Sequence, residues 1–167
     1  MIRAIVGDLA STEADAVVRP TSTTLAPISA TLHGIEIAAA ADLPAPRSGG
    51  TELAVGSAIV TGARGLSADF IIHAVITGSS EPASPTSVRR AMLSSLQRAT
   101  DWQFASVAFP PVGAGPGQLV METTADIMAQ VLIGYLKEQP FPADVLIVVS
   151  REEDKTIFEA RLPVSMP

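Results

Sequence analysis

A chain of 167 residues that is 47% apolar can bury one substantial core, and its formal charge of -6 includes no basic stripe suited to a nucleic-acid backbone. The absence of cysteine excludes disulfides, thiolate metal sites and thiol nucleophiles. No stretch approaches the roughly 20 apolar residues that span a bilayer, and the first residues lack the pattern of a secretory signal. We therefore expect one soluble, cytoplasmic domain over residues 1–167, holding no metal and no cofactor.

The first part of the chain predicts two strands and a helix. Short β-branched runs indicate strands at Ile2–Val6 and Ala14–Val18, the second stopped by Arg19-Pro20. Apolar residues then recur at helical spacing from Ile28 to Ala39, and Pro44 ends the pattern.

The middle of the chain is rich in turn-forming residues. A mixture of Pro and Gly over 42–56 predicts a loop, and strands are expected at Ser57–Thr61 and Phe70–Val75. The Gly-, Ser- and Pro-rich stretch Thr77–Thr86 predicts a mobile surface loop. It does not separate domains, because too little chain lies on either side for two cores.

The remainder alternates helices with strands. The predicted elements are a helix over Val88–Ala99, a strand at Ser106–Phe109, a helix that starts near Glu122 and has its apolar face over Ala125–Leu136, a strand at Val145–Val149 and a last helix that carries Ile157, Phe158 and Leu162. Ser150 and Glu153 have capping-box spacing at the start of that last helix. The whole order predicts an α/β fold of three layers, α/β/α, with a mixed, mostly parallel sheet.

Ligands of such sheets bind beyond the carboxyl ends of the strands, where a glycine-rich turn follows one predicted strand. The turn Gly113-Ala114-Gly115-Pro116-Gly117 lets the backbone approach an anion closely, although it also suits a tight strand-to-helix connection. It matches neither the Walker loop nor the dinucleotide fingerprint. We expect this turn and Gly7-Asp8 to line one cleft, on the assumption that they follow adjacent strands.

Few other residues indicate chemistry. Asp8 either accepts a hydrogen bond from the exocyclic amine of a base or caps its own turn toward Ser11 and Thr12. His73 is interpreted as a hydrogen-bonded residue at a strand end and His33 as a surface or helix-packing residue, so no metal site is predicted. The usual motifs of nucleophilic and metal-dependent hydrolases are absent from the sequence.

Four stretches in this order carry a resemblance to a known family. They are Ile5–Leu9, Asp15–Val18, the pair of strands within Gly56–His73, and Ala108–Gly115. Together they resemble the first strand and Gly-Asp turn, the second strand, the middle strands and the second phosphate loop of the macrodomain, an ADP-ribose-binding α/β fold. The resemblance covers nearly the whole chain.

The resemblance implies a binding site for ADP-ribose or a related adenine nucleotide. In it Asp8 would receive the adenine amine beside the Leu9 N–H, and Gly113–Gly117 would wrap the pyrophosphate and the distal ribose. The implied ligand-binding residues are Asp8, Leu9, Ser22, Val112, Gly113, Ala114, Gly115, Pro116, Gly117 and Ser150. The ligand would be a small molecule or an ADP-ribosylated protein, with no part for nucleic acid or membrane.

Three departures from the family pattern point to little catalysis. Arg19-Pro20-Thr21-Ser22 stands where the family has Asn-Ala-Ala-Asn, so Ser22 replaces the asparagine that serves hydrolysis in many members. The stretch Ala26–Ser29 replaces the first glycine-rich loop. Ser150 replaces an aromatic residue that often stacks on adenine, a place that Arg151 could take.

Two alternatives stay open at this point. One is an ADP-ribosyl hydrolase or ADP-ribose-1″-phosphate phosphatase, of the Appr-1-p processing type, in which the diphosphate and Gly113–Gly117 orient a water. The other is a degenerate macrodomain that serves as a structural or dimerisation module. No catalytic residue is assigned, and the sequence leaves the oligomeric state open.

Overall fold

A computed structural model describes residues 1–28, 32–42, 52–115 and 117–163. Within these ranges the strands are β1 (Ile2–Val6), β2 (Ala16–Ser22), β3 (Ala58–Gly62), β4 (Phe70–Thr77), β5 (Ser106–Phe109) and β6 (Asp144–Val149). The helices are α1 (His33–Asp42), α2 (Pro85–Asp101), α3 (Met121–Glu138) and α4 (Glu152–Glu159). A short 3-10 turn, Leu9–Ser11, follows β1.

The strands form one six-stranded sheet in the order β1-β6-β5-β2-β4-β3. Every neighbouring pair is parallel except β3 and β4, which are antiparallel and joined by residues 63–69. The predicted mixed, mostly parallel sheet is therefore confirmed. Because β1, β6, β5 and β2 run in the same direction, their carboxyl ends lie along one edge.

Helices cover both faces of the sheet, which makes the three predicted layers. Successive residues of a strand enter opposite cores, so Val17 packs with α1 while Val18 packs with α2, α3 and α4. Ile71 and Ile72 in β4 divide in the same way, and all four of these side chains are fully buried. Burial on both faces explains why the strands read as continuous apolar runs.

The sequence interpretation ended the second strand too early. The strand β2 continues through Arg19-Pro20-Thr21-Ser22 and pairs with β4 along its length. Pairing with β5 covers only Ala16 and Val17, so among the described residues this side of the strand is open from Val18 on. A proline is tolerated on such an open edge because no neighbouring strand requires its missing N–H.

Two predicted helix boundaries also differ. The helix α1 begins at His33 and not at Ile28, which packs in the core on the α2 side while Leu32 packs on the α1 side. The loop expected over Thr77–Thr86 ends earlier, where Ser84 caps α2 in a reciprocal capping box with Ser87. The loop expected over 42–56 lies mostly outside the described residues.

The predicted cap of the last helix is wrong. Arg151, not Ser150, is the N-cap of α4, and no side chain caps that end. Acidic side chains at Glu152, Glu153 and Asp154 complement the helix dipole there instead. Ser150 precedes the helix and is exposed.

Candidate functional site

A cavity of about 370 Å³ opens at the carboxyl ends of β1, β6, β5 and β2. This volume lies within the ~300–1,000 Å³ range of small-molecule sites, and its position is the usual one in parallel sheets. The cavity is lined by Gly7–Leu9, Pro20, Ile28, Leu32, Pro110, Pro111, Ala114, Gly115, Gln118, Met121, Val148–Arg151 and Asp154.

Asp8 follows β1 directly and forms part of the cavity wall. Its Oδ1 accepts a hydrogen bond from the Ala10 N–H at 3.2 Å, and its Oδ2 accepts one from the Ser11 hydroxyl at 3.2 Å. The side chain therefore caps the 3-10 turn, as one of the two interpretations expected. Both bonds are long, and a carboxylate has about four acceptor sites, so capacity remains for a further donor.

The glycine turn after β5 requires glycine for backbone reasons at three places. Gly113, Gly115 and Gly117 have φ angles of 87°, 142° and 74°, which side chains other than glycine rarely adopt. At Gly113 packing adds a second requirement, because a Cβ would lie 2.6 Å from Cγ2 of Val88 in α2. Nothing lies within 4 Å of a Cβ at Gly115 or Gly117.

Several N–H groups of this turn donate within the turn itself. The Gln118 N–H binds the Gly115 carbonyl at 3.0 Å, and the Leu119 N–H binds the Gly113 carbonyl at 2.9 Å. The bonds from Ala114 N–H and Gly115 N–H are weaker, with donor–acceptor distances of 3.4 and 3.3 Å. An anion could therefore accept hydrogen bonds from these two N–H groups with the smallest loss of free energy from the bonds that it replaces.

The structure brings half of the sequence-predicted site residues together. Those on the cavity wall are Asp8, Leu9, Ala114, Gly115 and Ser150. They follow β1, β6 and β5, so the expectation that Asp8 and the glycine turn follow adjacent strands is wrong: β6 lies between them. The two still meet because parallel strands end at the same edge.

The other predicted residues lie off the cavity wall. Ser22 is turned to its own loop, where its Oγ lies 3.1 Å from the Thr24 hydroxyl and accepts from the Ala26 N–H at 3.2 Å. Val112 is fully buried. Gly113 and Gly117 are in the turn but do not line the cavity, and Pro116 lies outside the described residues.

One wall of the cavity carries an ion pair. Arg151 donates to the carboxylate of Asp154 from Nε at 3.2 Å and from Nη2 at 3.0 Å. The bond to Asp154 and the charges of Asp154 and Glu153 raise the pKa of Arg151 further. The Arg151 side chain is 63% exposed while that of Asp154 is 4% exposed. The pairing holds a flat, cationic side chain at the cavity mouth, next to Ser150.

A buried polar cluster around Arg19 was not anticipated from the sequence. Arg19 is 1% exposed and its guanidinium binds the Glu36 carboxylate of α1, with distances of 3.0, 3.0 and 2.7 Å. It also binds the Leu25 carbonyl at 2.9 Å and lies 3.2 Å from Nδ1 of His73. The available signal was an arginine directly after a buried apolar run, which the sequence interpretation treated as the end of a strand.

His73 is neutral in this cluster. It lies within β4 and not at its end as predicted, it is fully buried, and burial together with the Arg19 charge lowers its pKa to about 3. Because Arg19 can only donate, Nδ1 of His73 is the acceptor. Nε2 then carries the proton and donates to the Thr61 hydroxyl at 2.7 Å. The predicted hydrogen bonding of His73 is thus present, in the interior of the sheet.

We expect the free energy of unfolding to fall as the pH decreases from 6.5 to 5. The folded protein holds His73 neutral with a pKa of about 3, whereas the unfolded chain takes up the proton near 6.5. The contribution is fully present above pH 6.5 and decreases by roughly 2 kcal/mol over this interval, at about 1.4 kcal/mol per pH unit. Denaturation of the native chain and of His73→Gln at several pH values measures it, and parallel curves would contradict the assignment.

The comparisons with known proteins agree with this architecture. A family model described as Macro domain matches residues 27–128, which is more than half of the chain. The chain therefore belongs to the macro domain family.

Solved structures share the fold at low sequence identity. The Oceanobacillus iheyensis macrodomain with ADP has a TM-score of 0.80 and 22% identity, covering 95% of this chain and 87% of that one. The macro domain of ganglioside induced differentiation associated protein 2 gives 0.79 and 19%, covering 99% and 86%. The Trypanosoma brucei macrodomain in complex with ADP-ribose gives 0.78 and 18%, covering 95% and 68%. At these identities the similarity establishes the fold.

No group of three or more His, Cys, Asp or Glu side chains in the described ranges is arranged to hold a metal ion. None of the helices in those ranges is long and apolar enough to cross a membrane.

Proposed function

We propose that the cavity binds an adenine nucleotide with a diphosphate, such as free ADP-ribose or ADP-ribose attached to a protein, and that it catalyses little or no hydrolysis. The chain acts as a single macrodomain over residues 1–167. We propose the cytoplasm as its location, which the sequence favours.

The observation that carries this proposal is the position of Asp8 and the glycine turn on one cavity wall. A carboxylate with spare acceptor capacity suits the exocyclic amine of adenine. Apolar side chains from Leu9, Val148 and Val149 lie on the same wall and suit the faces of a base. The cavity thus offers a site for the base after β1 and a site for the phosphates after β5, with β6 between them.

The phosphate site is supported by backbone groups in place of lysines. The weakly bonded N–H groups of Ala114 and Gly115 lie beside the start of α3, whose N-terminus no side chain caps. Met121, the first residue of that helix, lines the cavity. An 18-residue helix directs a partial positive charge at this point, so a diphosphate gains both hydrogen bonds and a favourable dipole.

Relatives of the same fold support the choice of ligand. The Trypanosoma brucei macrodomain is described in complex with ADP-ribose, and the Oceanobacillus iheyensis macrodomain with ADP. The acidic charge of this chain is compatible with such a ligand because the proposed phosphate contacts are dipoles of the backbone.

Replacing Asp8 with alanine is expected to weaken ADP-ribose binding by about 1–3 kcal/mol, the usual loss for a hydrogen bond that involves a charged group. Titration calorimetry measures the change. Asp8→Asn keeps a helix-capping side chain and separates the loss of charge from the loss of the turn. Ser11→Ala is the matched control, because it removes only the contact with Oδ2 and should leave the affinity unchanged. An unaltered affinity in Asp8→Ala would contradict the adenine assignment.

Hydrolysis is expected to be undetectable. Ser22 is turned to Thr24 and Ala26, away from the cavity wall. Of the carboxylates on the wall, Asp8 is engaged in its turn and Asp154 is paired with Arg151. Both carboxylates of the wall thus already have partners, which leaves a water without a well-placed general base, and poor orientation alone costs orders of magnitude in rate.

The assay for hydrolysis uses two substrates. We expect no release of ADP-ribose from a mono-ADP-ribosylated protein and no release of phosphate from ADP-ribose-1″-phosphate above a reaction without protein. Turnover that disappears in Gly115→Val would establish the hydrolase alternative.

A further inference from the structure

Arg19 is the largest of the fully buried side chains, yet it belongs to the strand that supplies Pro20 to the cavity wall. Arginine remains charged in proteins, and burying a charge is unfavourable unless hydrogen bonds compensate for it. Arg19 does not itself line the cavity. Its burial therefore calls for an explanation other than direct contact with a ligand.

The planar guanidinium of Arg19 joins three separate parts of the fold. It binds the Glu36 carboxylate in α1, the Leu25 carbonyl in the turn after β2, and Nδ1 of His73 in β4. His73 is in turn held by the Thr61 hydroxyl of β3. The contact with His73 thus fixes the guanidinium to the sheet. Its other N–H donors bind Leu25 and Glu36, which follow β2 in the chain.

The two residues that Arg19 binds outside the sheet, Leu25 and Glu36, flank two residues of the cavity wall in the sequence. Leu25 precedes Ile28 in the chain and Glu36 follows Leu32, and both Ile28 and Leu32 line the cavity. One side chain therefore ties both ends of this wall to β2. A lysine could not do so, because a single ammonium lacks the forked donor geometry that serves carboxylate and carbonyl together.

The backbone of Leu25, one of the two residues that Arg19 binds outside the sheet, is strained. Leu25 has a φ angle of 64°, in the left-handed region that bulky residues rarely enter. Its N–H closes a turn on the Ser22 carbonyl at 2.9 Å, and the Thr21 hydroxyl holds the next carbonyl, that of Ala26, at 2.8 Å. Strain of this kind persists where surrounding contacts impose it. The bond from Arg19 to the Leu25 carbonyl is one of those contacts.

We propose that Arg19 is a positioning residue for ligand binding: through Leu25 and Glu36 it holds the cavity wall that carries Ile28 and Leu32 in its binding geometry. This inference rests on the proposed nucleotide function. It places an arginine tether at Leu25, directly before the stretch that replaces the family's first glycine-rich loop.

Three variants separate positioning from simple stability. Arg19→Lys keeps a positive charge beside Glu36 but loses the fork. The double variant Arg19→Met with Glu36→Leu removes the tether and leaves no unpaired charge. The matched control, Arg98→Met with Asp101→Leu, removes an exposed ion pair of α2, whose side chains are 41% and 59% exposed.

Each variant is measured by thermal unfolding, by calorimetric titration with ADP-ribose, and by hydrogen exchange of the Ala26 amide, which donates to the Ser22 hydroxyl. We expect the double variant to melt within a few degrees of the native chain and to bind ADP-ribose at least tenfold more weakly. Arg19→Lys should bind more weakly as well. Both should exchange the Ala26 amide at least tenfold faster, while the surface control matches the native chain in all three measurements.

Native affinity and native Ala26 exchange in a folded Arg19 variant would overturn the proposal and leave Arg19 a structural residue only. If the double variant does not fold, Arg19→Lys decides by the same two readouts. If the native chain does not bind ADP-ribose, the proposed function fails by itself. Exchange of the Ala26 amide then still tests whether Arg19 positions the residues after β2. Failure of the proposed function and failure of the positioning role are therefore distinguishable.

Discussion

Replacing Gly113 with alanine is expected to destabilise the fold by roughly 2–5 kcal/mol, because two costs add at this residue. A side chain in the left-handed region costs roughly 1–2 kcal/mol, and overpacking a filled core costs roughly 1–3 kcal/mol. The new Cβ would lie 2.6 Å from Cγ2 of Val88, which is fully buried in α2 and cannot move without disturbing the core.

Gly117→Ala is the matched control, because its φ of 74° is similarly positive but no atom lies within 4 Å of the added Cβ. Gly117→Ala should lower the free energy of unfolding only by the cost of a side chain at positive φ, roughly 1–2 kcal/mol. Chemical denaturation of both variants gives the difference. Equal losses would mean that the contact with Val88 relaxes freely and that Gly113 is required for its backbone conformation alone.

Replacing Glu36 with leucine is expected to cost about 3–5 kcal/mol of unfolding free energy, the usual result of leaving one member of a buried ion pair without its partner. Arg19 cannot escape the penalty by losing its proton, because arginine stays protonated in proteins. The Arg19 side chain is 1% exposed and that of Glu36 is 11% exposed, so water screens the pair little.

The exposed pair of Arg98 and Asp101 supplies the comparison. Asp101→Asn should change stability by less than about 1 kcal/mol, because solvent weakens that interaction and the side chains are free to separate. The double variant lacking both Arg19 and Glu36 should recover most of the loss seen in Glu36→Leu. A loss in Glu36→Leu no larger than that in Asp101→Asn would indicate that water enters the cluster.

Most strands and helices were predictable from the sequence because their burial pattern is simple. The strands β1, β5 and β6 have flanks of turn residues and apolar interiors, and the structure confirms them within one residue. The helices α2 and α3 carry an apolar stripe that packs on the sheet. Local pattern and global fold agree in these elements.

The errors fall where a polar residue has a partner that is distant in sequence. Arg19 and Pro20 read as the end of a strand, but Glu36 neutralises the charge of Arg19, His73 accepts a hydrogen bond from it, and an open strand edge accommodates Pro20. No local rule reveals a partner 17 or 54 residues away. Ser150 was similarly misassigned because capping-box spacing alone does not say which residue begins the helix.

The candidate site was only partly predictable for a related reason. Asp8 and the glycine turn carry chemical patterns of their own, whereas Ile28, Leu32 and Met121 are ordinary apolar residues whose place on the cavity wall depends on the fold. Resemblance to a family predicted Asp8 and the glycine turn as site residues, and Asp8, Ala114 and Gly115 line the cavity. The apolar residues of the cavity wall and the role of Arg19 could be inferred only from the structure.

The strand order has a consequence for how the chain is made. The strand β1 lies at the sheet edge and pairs only with β6, so Ile2 finds its register partner at Val145. Ribosomes add about 5–20 residues per second, so the first strand waits on the order of 10 s for that partner to be synthesised. During this interval β1 has no strand to pair with in the native order, and the sheet can grow only from its centre, where β2 and β4 meet early. The amino-terminal strand of this macrodomain is thus among the last to join the native sheet.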